Sequence, residues 1–507
     1  MKCVMCKGGE LAPGKTTVKV QRGETLVIIK DVPADVCQDC GEAYLDGNVA
    51  KKIERQGEWN EMSVDDISVR VTKGTTPAGG QFIDQGINFI KVESITDDGR
   101  IDINRVAHID DATNATLSRS ILKQNDVLFT IAGTIGRVAL VSEKILPANT
   151  NQAVAIVRPN LEVIVPRFLY YALKDKARAK QIYTRVVQSV QANFSLGELS
   201  SLKVLLPPLP EQRAIAHILG TLDDKIELNR RMNETLEAMA QAIFKSWFVD
   251  FDPVRAKMEG RPTELPKEIE DLFPDSFEDS ELGEIPRGWE VGPINTFAQI
   301  SIGGQWGKDS KENEDFIEFI SLRGVDIEQL RNGNMAIKAV RRWCKKSAIQ
   351  SRLIKPNEVL IASSGIGPVG RSLWVPKNPK EFFGIEVIHS NFVKKIKCSS
   401  IATAIYLDRI LFEMRTSGEV WEYINGTSIP NLNDKDLLAN KFVIIPPNKI
   451  LEIFKSIIEP ISNKIFSLES INLSMIRDSL LPKLLSGEIK VSGIPPRQRS
   501  TGERQAK

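Results

Sequence analysis

Two cysteine pairs are the residues in this chain best spaced for chemistry: Cys3-x-x-Cys6 and Cys37-x-x-Cys40. Four thiolates suit tetrahedral Zn²⁺, and binding the ion can supply most of the folding free energy of so small a module. Glycines follow both knuckles (Gly8 and Gly9; Gly41), where a tight turn must aim backbone amides at sulfur. Between them "TTVKVQRGETLVIIKDVPADV" alternates as a hairpin turning at Gly23. A pair of redox dithiols is the rival, but no βαβ context surrounds them. Six cysteines in 507 residues are too few for a disulfide scaffold. The cysteine usage, with an N-terminus lacking an apolar signal core and no apolar run long enough to span a bilayer, reads as cytosolic.

Other patterns imitate chemistry without the surroundings it needs. "GELAPGKT" (Gly9 to Thr16) fits a phosphate-loop pattern, yet a cysteine knuckle precedes it and the alternating "TTVKV" follows. No helix N-terminus would face the phosphates. "GIGPVG" (Gly365 to Gly370) fits a dinucleotide fingerprint but leads into the strand-like "RSLWVP" and reads as a strand-to-strand turn with positive φ. "LPPL" and "IPPN" lack the amide or carboxylate and the aromatic of an amino-methyltransferase motif. "DDK" (Asp223 to Lys225) sits on a helix and reads as a solvated face. The three histidines, His108, His217 and His389, have no Cys or Ser with an orienting acid at a recognisable spacing. No residue is assigned a catalytic role.

Nearly the same text occurs twice, about 230 residues apart. "LKQNDVLFTIAGTIGRVALV" (Leu122 to Val141) returns as "IKPNEVLIASSGIGPVGRSLWV" (Ile354 to Val375). Trp59 and "FIKVESI" (Phe89 to Ile95) answer to Trp289 and "FISLRGV" (Phe319 to Val325). "VLLPPLPEQ" answers to "VIIPPNKIL", and each Pro-Pro opens a helical run. This is duplication of a domain with its trailing helix, and the copies differ most in their middles.

The first helix carries an a/d seam at Ile215, Ile218, Leu222, Met232, Leu236, Met239 and Ile243, with Asn229 and Lys225 on it. The second runs Phe454, Ile457, Ile461, Leu468, Ile471 and Met475, with Lys464 matching Lys225, and has Pro482 and Gly487 as stop signals. About 35 residues give a rod of roughly 50 Å. Pairing the two seams antiparallel would cover both; folding each helix back on its own domain is the alternative. Phe244, Trp247, Phe248 and Phe251 crowd the end of the first helix, as core or as an aromatic dock for a partner.

Net charge is only +2, so a nucleic-acid partner must rest on local asymmetry. "RFLYYALKDKARAKQIYTR" (Arg167 to Arg185) is basic with aromatics interleaved, and "KAVRRWCKKSAIQSRLIK" (Lys338 to Lys355) is basic with no acid. Between the copies, Glu259 to Pro286 is acidic and proline-rich. Basic runs are also ordinary solvated faces; two such arms flanking an acidic connector favour DNA.

Two family resemblances follow from these residues. The cysteine module, including "VPADVCQDCGEAYLD", resembles the zinc-finger domain at the front of certain antitoxins of type II toxin–antitoxin systems, over residues 1 to about 56. From 58 to about 492 the chain resembles the DNA-specificity subunit of a type I restriction–modification system. The carrying motifs are "NDVLFTIAGTIGRVALV", "NTNQAVAIVRP", "LPPLPEQRAIAHILGTLDDKIELNRRMNETLEAMAQAIFKSWFVDFDPV" and "IRDSLLPKLLSGEI".

That resemblance implies an α+β architecture of two repeated target-recognition domains joined by long antiparallel coiled-coil helices, here preceded by a small β-rich zinc finger. The expected boundaries are a zinc finger at 1–57, a recognition domain at 58–207, a spacer helix at 208–251 and a linker at 252–285. A second recognition domain at 286–446, a second spacer helix at 447–492 and a disordered tail at 493–507 complete the list. It further implies a non-catalytic subunit that binds a bipartite, asymmetric double-stranded DNA site. Such a subunit docks two modification (methyltransferase) subunits and the ATP-dependent restriction subunits, with S-adenosylmethionine and ATP belonging to those partners. The family pattern starts near Trp59, so the finger reads as a fusion, natural or from a joined reading frame. The alternatives are an antitoxin-like zinc-finger regulator and a nuclease or methyltransferase with its own site.

Polar stretches flanking strands supply the candidate DNA contacts. They are Lys73, Thr75, Arg185, Gln188, Gln191 and Asn193 in the first copy, and Gln305, Lys308, Arg323, Arg341, Arg342 and Asn425 in the second. Lys/Arg would anchor on phosphates while amides, hydroxyls and Arg read base edges. Each also has a plain role as a surface residue.

Overall fold

The computed structural model describes residues 2–22, 25–47, 49–50, 59–77, 82–175, 194–334, 337, 339–426, 428–467 and 469–491. The protein is α+β and divides into two compact units, Met1–Gly220 with Ser479–Lys507, and Thr221–Asp478. The units are not successive halves of the chain. The helix Leu209–Phe248, 40 residues long, gives its opening to the first unit and the rest to the second.

Each unit is built on the same frame. In the first, a four-stranded antiparallel sheet runs in the order Ser68–Lys73, Val154–Pro159, Val127–Thr130, Val138–Leu140. In the second, Ala298–Ile300, Val393–Cys398, Glu358–Ala362 and Ser372–Trp374 take those places in that order. A three-stranded side sheet repeats as well. Ile87–Ile90 lies antiparallel to Ala107–Ile109 and parallel to Ala148–Thr150, as Phe316–Leu322 does to Val340–Lys345 and Glu386–His389. Finally, the strand after each tryptophan pairs with the strand before each Pro-Pro: Asn60–Ser63 with Lys203–Leu206, and Glu290–Pro293 with Phe442–Ile445.

The central strands read as unbroken apolar runs because both faces of the sheet are covered. Val127 and Phe129 enter one core with Phe168 and Leu169, while Leu128 enters another with Ile90 and Ile145. In the second unit Val359 and Ile361 face one core, and Leu360 and Ala362 the other. The period of two survives in where the side chains go, though not in their polarity. One face is covered by a helix, Pro166–Lys174 or Ile401–Ser417. The latter opens on a Ser400 cap to the Thr403 amide and closes at left-handed Gly418.

Several expectations are corrected. The second rod is not one helix: Asn448–Ile465 and Glu469–Leu485 are separate, and Leu468 lies outside the described residues. Phe466 turns into the core, 5.8 Å from Phe382, so tertiary packing overrides the heptad there. Met239 and Met475, placed on the seams, are 49% and 66% exposed, and Ala240 is buried in place of the former. Helix continues through Pro482, and left-handed Gly487 follows its end. The aromatic group at the end of the first helix is core: Phe244, Trp247, Phe248 and Phe251 are buried against Trp289, Tyr406 and Phe454. The acidic stretch expected as a linker is folded, with helices at Asp252–Met258 and Lys267–Glu270, a strand pair, and buried Phe273 and Ile285.

Within the second unit the two helical passes meet antiparallel. Asp223 pairs with Arg477, Lys225 with Glu469, and Asn229 with Ser470. Glu237 reaches Arg331 and Arg409, both at 2.7 Å, and Arg331 also holds Asp408. Burial opposes the Glu237 charge, but Arg331 and Arg409 outweigh it and hold the carboxyl down at about 2. Within the first unit Ile215 and Leu219 share a core with Leu481, Leu484 and Leu485.

Candidate metal centre and nucleic-acid interface

The four N-terminal sulfurs converge. Cys3 Sγ lies 3.7 Å from Cys40 Sγ and Cys6 Sγ 3.6 Å from Cys37 Sγ, and all four lie within 4.8 Å of one another. Metal–sulfur bonds of about 2.3 Å in a tetrahedron put sulfurs about 3.8 Å apart, so the donor set fits an ion such as Zn²⁺. These contacts run between knuckles and are too long for disulfides, unlike two separate redox dithiols. The paired strands Leu11–Arg22 and Thr25–Cys37 carry the second knuckle to the first, with Gly23 itself outside the described residues. The phosphate-loop lookalike is part of that hairpin, with no helix after it.

Gly41 is left-handed as expected, but at the first knuckle Lys7 takes that conformation, φ 61°. Gly9 serves by its size instead, since a Cβ there would stand 2.4 Å from Cys37 Sγ. Its amide donates to Cys6 Sγ at 3.4 Å. A hydrogen bond from the Tyr44 hydroxyl, then the Cys6 amide, lowers the Cys3 thiol to about 6.

The repeated motif has one physical meaning in both copies. The carboxylate of "NDVL" or "NEVL" accepts from an amide three residues back: Asp126 from Lys123, Glu358 from Lys355, each at 2.8 Å. Each also pairs with a base on the neighbouring strand, Arg158 at 2.7 Å and Lys395 at 3.1 Å. The glycines that follow, Gly133 and Gly136 or Gly365 and Gly370, all have positive φ and turn the chain between antiparallel strands. The dinucleotide lookalike is this turn.

A second shared feature was hidden in the sequence. Gly74 and Gly304 press against the chain at the end of a side-sheet strand, Ala148–Thr150 in one copy and Glu386–His389 in the other. A Cβ would lie 1.9 Å from the Thr150 carbonyl oxygen in one copy and 2.1 Å from that of Ser390 in the other. "NTNQ" (Asn149 to Gln152) therefore matches "HSNF" (His389 to Phe392), an equivalence too short and too diverged to notice by eye. Thr75 and Gln305 consequently occupy the same place. The Thr75 amide donates to the Thr150 carbonyl at 3.2 Å and that of Gln305 to the His389 carbonyl at 3.0 Å, so both are seated by their backbones. Thr76 bonds Gln152, whereas Trp306 packs on Phe392 with ring centres 6.4 Å apart. These four residues were absent from the expected set.

Of the remaining candidates, Lys73 is exposed on the edge strand Ser68–Lys73. Arg185, Gln188, Gln191 and Asn193 lie outside the described residues. Lys308, Arg341 and Arg342 come together where residue 308 bridges to Trp343, and each meets an acid: Glu312, Glu318 and Asp309. Arg342 also stands over the Trp306 ring at 4.9 Å. Arg323 is held by Asp326 at the start of the helix Gly324–Arg331, and Asn425 is exposed on a two-residue strand paired with Asn431. The exposed pairs among these, Lys308 with Glu312 and Arg341 with Glu318, are worth about 0–1 kcal/mol, little enough for a phosphate to displace the acid.

One frame made twice, with recurring turns and differing rims, defines an internally duplicated protein. Residues 56–238 match the family described as type I restriction modification DNA specificity domain, beginning where the cysteine module ends. The chain is 27% identical over 440 residues to the type I restriction enzyme MjaIX specificity subunit of Methanocaldococcus jannaschii, covering 86% of this chain and 94% of that one. It is 28% identical to the HindI specificity subunit of Haemophilus influenzae, over 73% of this chain and 88% of the relative. A solved type I S subunit from M. genitalium covers 84% of this chain and 96% of its own, with TM-score 0.45 and 14% identity. Most of the chain is thus similar to the DNA-specificity subunits of type I restriction–modification systems, and residues 56–238 carry that family's domain.

Proposed function

We propose that this subunit reads a bipartite, asymmetric double-stranded DNA site, one half with each unit, and performs no chemistry itself. Lys and Arg anchor on phosphates, while Thr75 and Gln305, at matching places in the two units, present side chains toward base edges. Two readers on one chain multiply affinity through effective concentration only when the gap between half-sites fits. The paired helices set that gap and dock two modification subunits and the restriction subunits, whose S-adenosylmethionine and ATP supply the reaction. The Cys3, Cys6, Cys37 and Cys40 set holds structural Zn²⁺.

The observation that carries this reading is the strand-for-strand repetition of the frame with different side chains at its rim. Co-purification with the host's modification subunit, followed by mapping of methylated adenines, tests it. A split motif whose recognition disappears when one base pair is added to its gap is expected; a continuous motif, or indifference to the gap, overturns the proposal. A chain cut at residue 57 keeps the motif, which separates this reading from a zinc-finger regulator.

A further inference from the structure

The two units differ in kind at one pair of positions. In the first unit the Thr76 amide and hydroxyl both donate to Gln152 Oε1, the amide at 3.1 Å. At the matching positions the second unit has Trp306 and Phe392 in edge-to-face contact, at 71°. The support is similar, with Gly74 and Gly304 pressed on matching carbonyls, although the next amide donates to Thr150 in one unit and to His389, one residue earlier by this match, in the other. An amide–hydroxyl pair has thus been exchanged for an aromatic pair on a similar support.

Phe392 is 54% exposed, and exposed Ile366 and Ile429 come from the adjacent loops. Main-chain bonds lace those loops together: the Ser363 amide to the Phe392 carbonyl at 2.9 Å, and the Gly365 amide to the Pro430 carbonyl at 3.2 Å. An apolar patch of this kind marks a binding surface. Its neighbours are cationic, with Arg342 over the Trp306 ring and Lys308 bonded through its backbone to Trp343. Apolar side chains beside phosphate-seeking cations suit a DNA groove better than a protein face. In the major groove the apolar feature of a base edge is the 5-methyl group of thymine.

We propose that the second unit recognises a thymine in its half-site by apolar contact. Phe392, backed by Trp306, packs on the 5-methyl group while Arg342 exchanges Asp309 for a backbone phosphate. The first unit uses the Gln152 amide at the corresponding place and reads a base edge by hydrogen bonding. This rests on the half-site reading above and adds which chemistry each half uses.

The test uses the full chain with its modification subunit and DNA carrying the mapped site, with each thymine of the second half replaced in turn by deoxyuridine. One replacement is expected to weaken binding about fourfold, the equivalent of ~0.8 kcal/mol for one buried carbon. Phe392→Gln should bind thymine and uracil alike there and relax the methylation motif at that position alone, leaving the first half unchanged. Gln152→Phe should relax the first half instead. If no uracil substitution matters while split-site methylation persists, the inference fails and the half-site reading stands. If no split site is methylated, both fail. If Phe392→Gln lowers affinity for the modification subunit while the residual methylation keeps an unaltered motif, the patch is a protein dock and the inference is overturned.

Discussion

The two units share the sheet frame and its turns and differ most where side chains leave it. Sheet order, the parallel pair in the side sheet, the carboxylate that closes each "NDVL" turn, the positive-φ glycines and the glycine pressed on a carbonyl all recur. The exchanges sit on this frame: buried Asn149 for buried His389 and, at the rim, Thr75 for Gln305, Thr76 for Trp306 and Gln152 for Phe392. A frame buried on both faces tolerates little change, because its interior is close-packed. A rim residue seated by main-chain bonds is free to change, because its backbone partner is indifferent to its side chain. A recognition protein can diversify its target in this way without refolding.

The largest perturbation falls outside the repeat. With the proposed Zn²⁺ on the cysteine set, chelation or Cys37→Ser removes up to roughly 10–16 kcal/mol of binding free energy, the range of small zinc modules. Hydrogen exchange across residues 2–47 is expected to lose protection, with both half-sites still methylated; loss of either half-site would tie the module to reading.

Next comes a feature of the second unit. Glu237→Ala strips Arg331 and Arg409 of their shared carboxylate, at a cost of about 3–5 kcal/mol for a buried pair broken on one side. Hydrogen exchange should show the loss in residues 324–331 and 401–417 ahead of the first unit's central sheet. Equal loss in both units would mean they fold as one.

A symmetric pair tests the frame itself. Gly74→Ala and Gly304→Ala each force a methyl group onto a carbonyl, worth about 1–3 kcal/mol of overpacking. Each should damage recognition of its own half-site only, measured as residual methylation of half-matched sites. A defect in both halves from either variant would break the equivalence drawn between the copies.

At neutral pH the last effect is absent, and it appears in the second unit only on acidification. Burial, then the charges of Lys395, Arg352 and Lys394, depress His389 to about 4, against a hydrogen bond to the Ile302 carbonyl. The unfolded chain therefore binds the extra proton first as pH falls below about 6.5, and the fold loses stability progressively down to about 4. His389→Asn, which copies the first unit's residue, should flatten thermal stability over that window. Glu237 loses its contribution lower, as pH falls from about 4.5 toward 2. An unchanged slope in His389→Asn would place the titration elsewhere.

Duplication was legible because it is written in glycines, prolines and turn acids, whose backbone roles follow from residue type. The metal set was legible because ligand identity and short spacing are local. Trp306 with Phe392 was not, since Trp306 and Phe392 lie far apart in the chain and only the fold of the side sheet brings them together. The aromatic cluster around Trp247 had two open readings, and burial against Tyr406 and Phe454 resolved it as core.

The second helix marks the boundary between the two kinds of information. Its heptad gave an apolar stripe and a length, which the chain alone can specify because periodicity is a local property. Its interruption after Ile465 came from the pocket that takes Phe466 and from the Asn233 amide on the Ile465 carbonyl. Residue types and spacing determined the repeat, the metal donors and the amphipathic runs. Which stripe is covered, which rim residues meet and which charges are buried depend on contacts between distant segments, and the tertiary structure decided those.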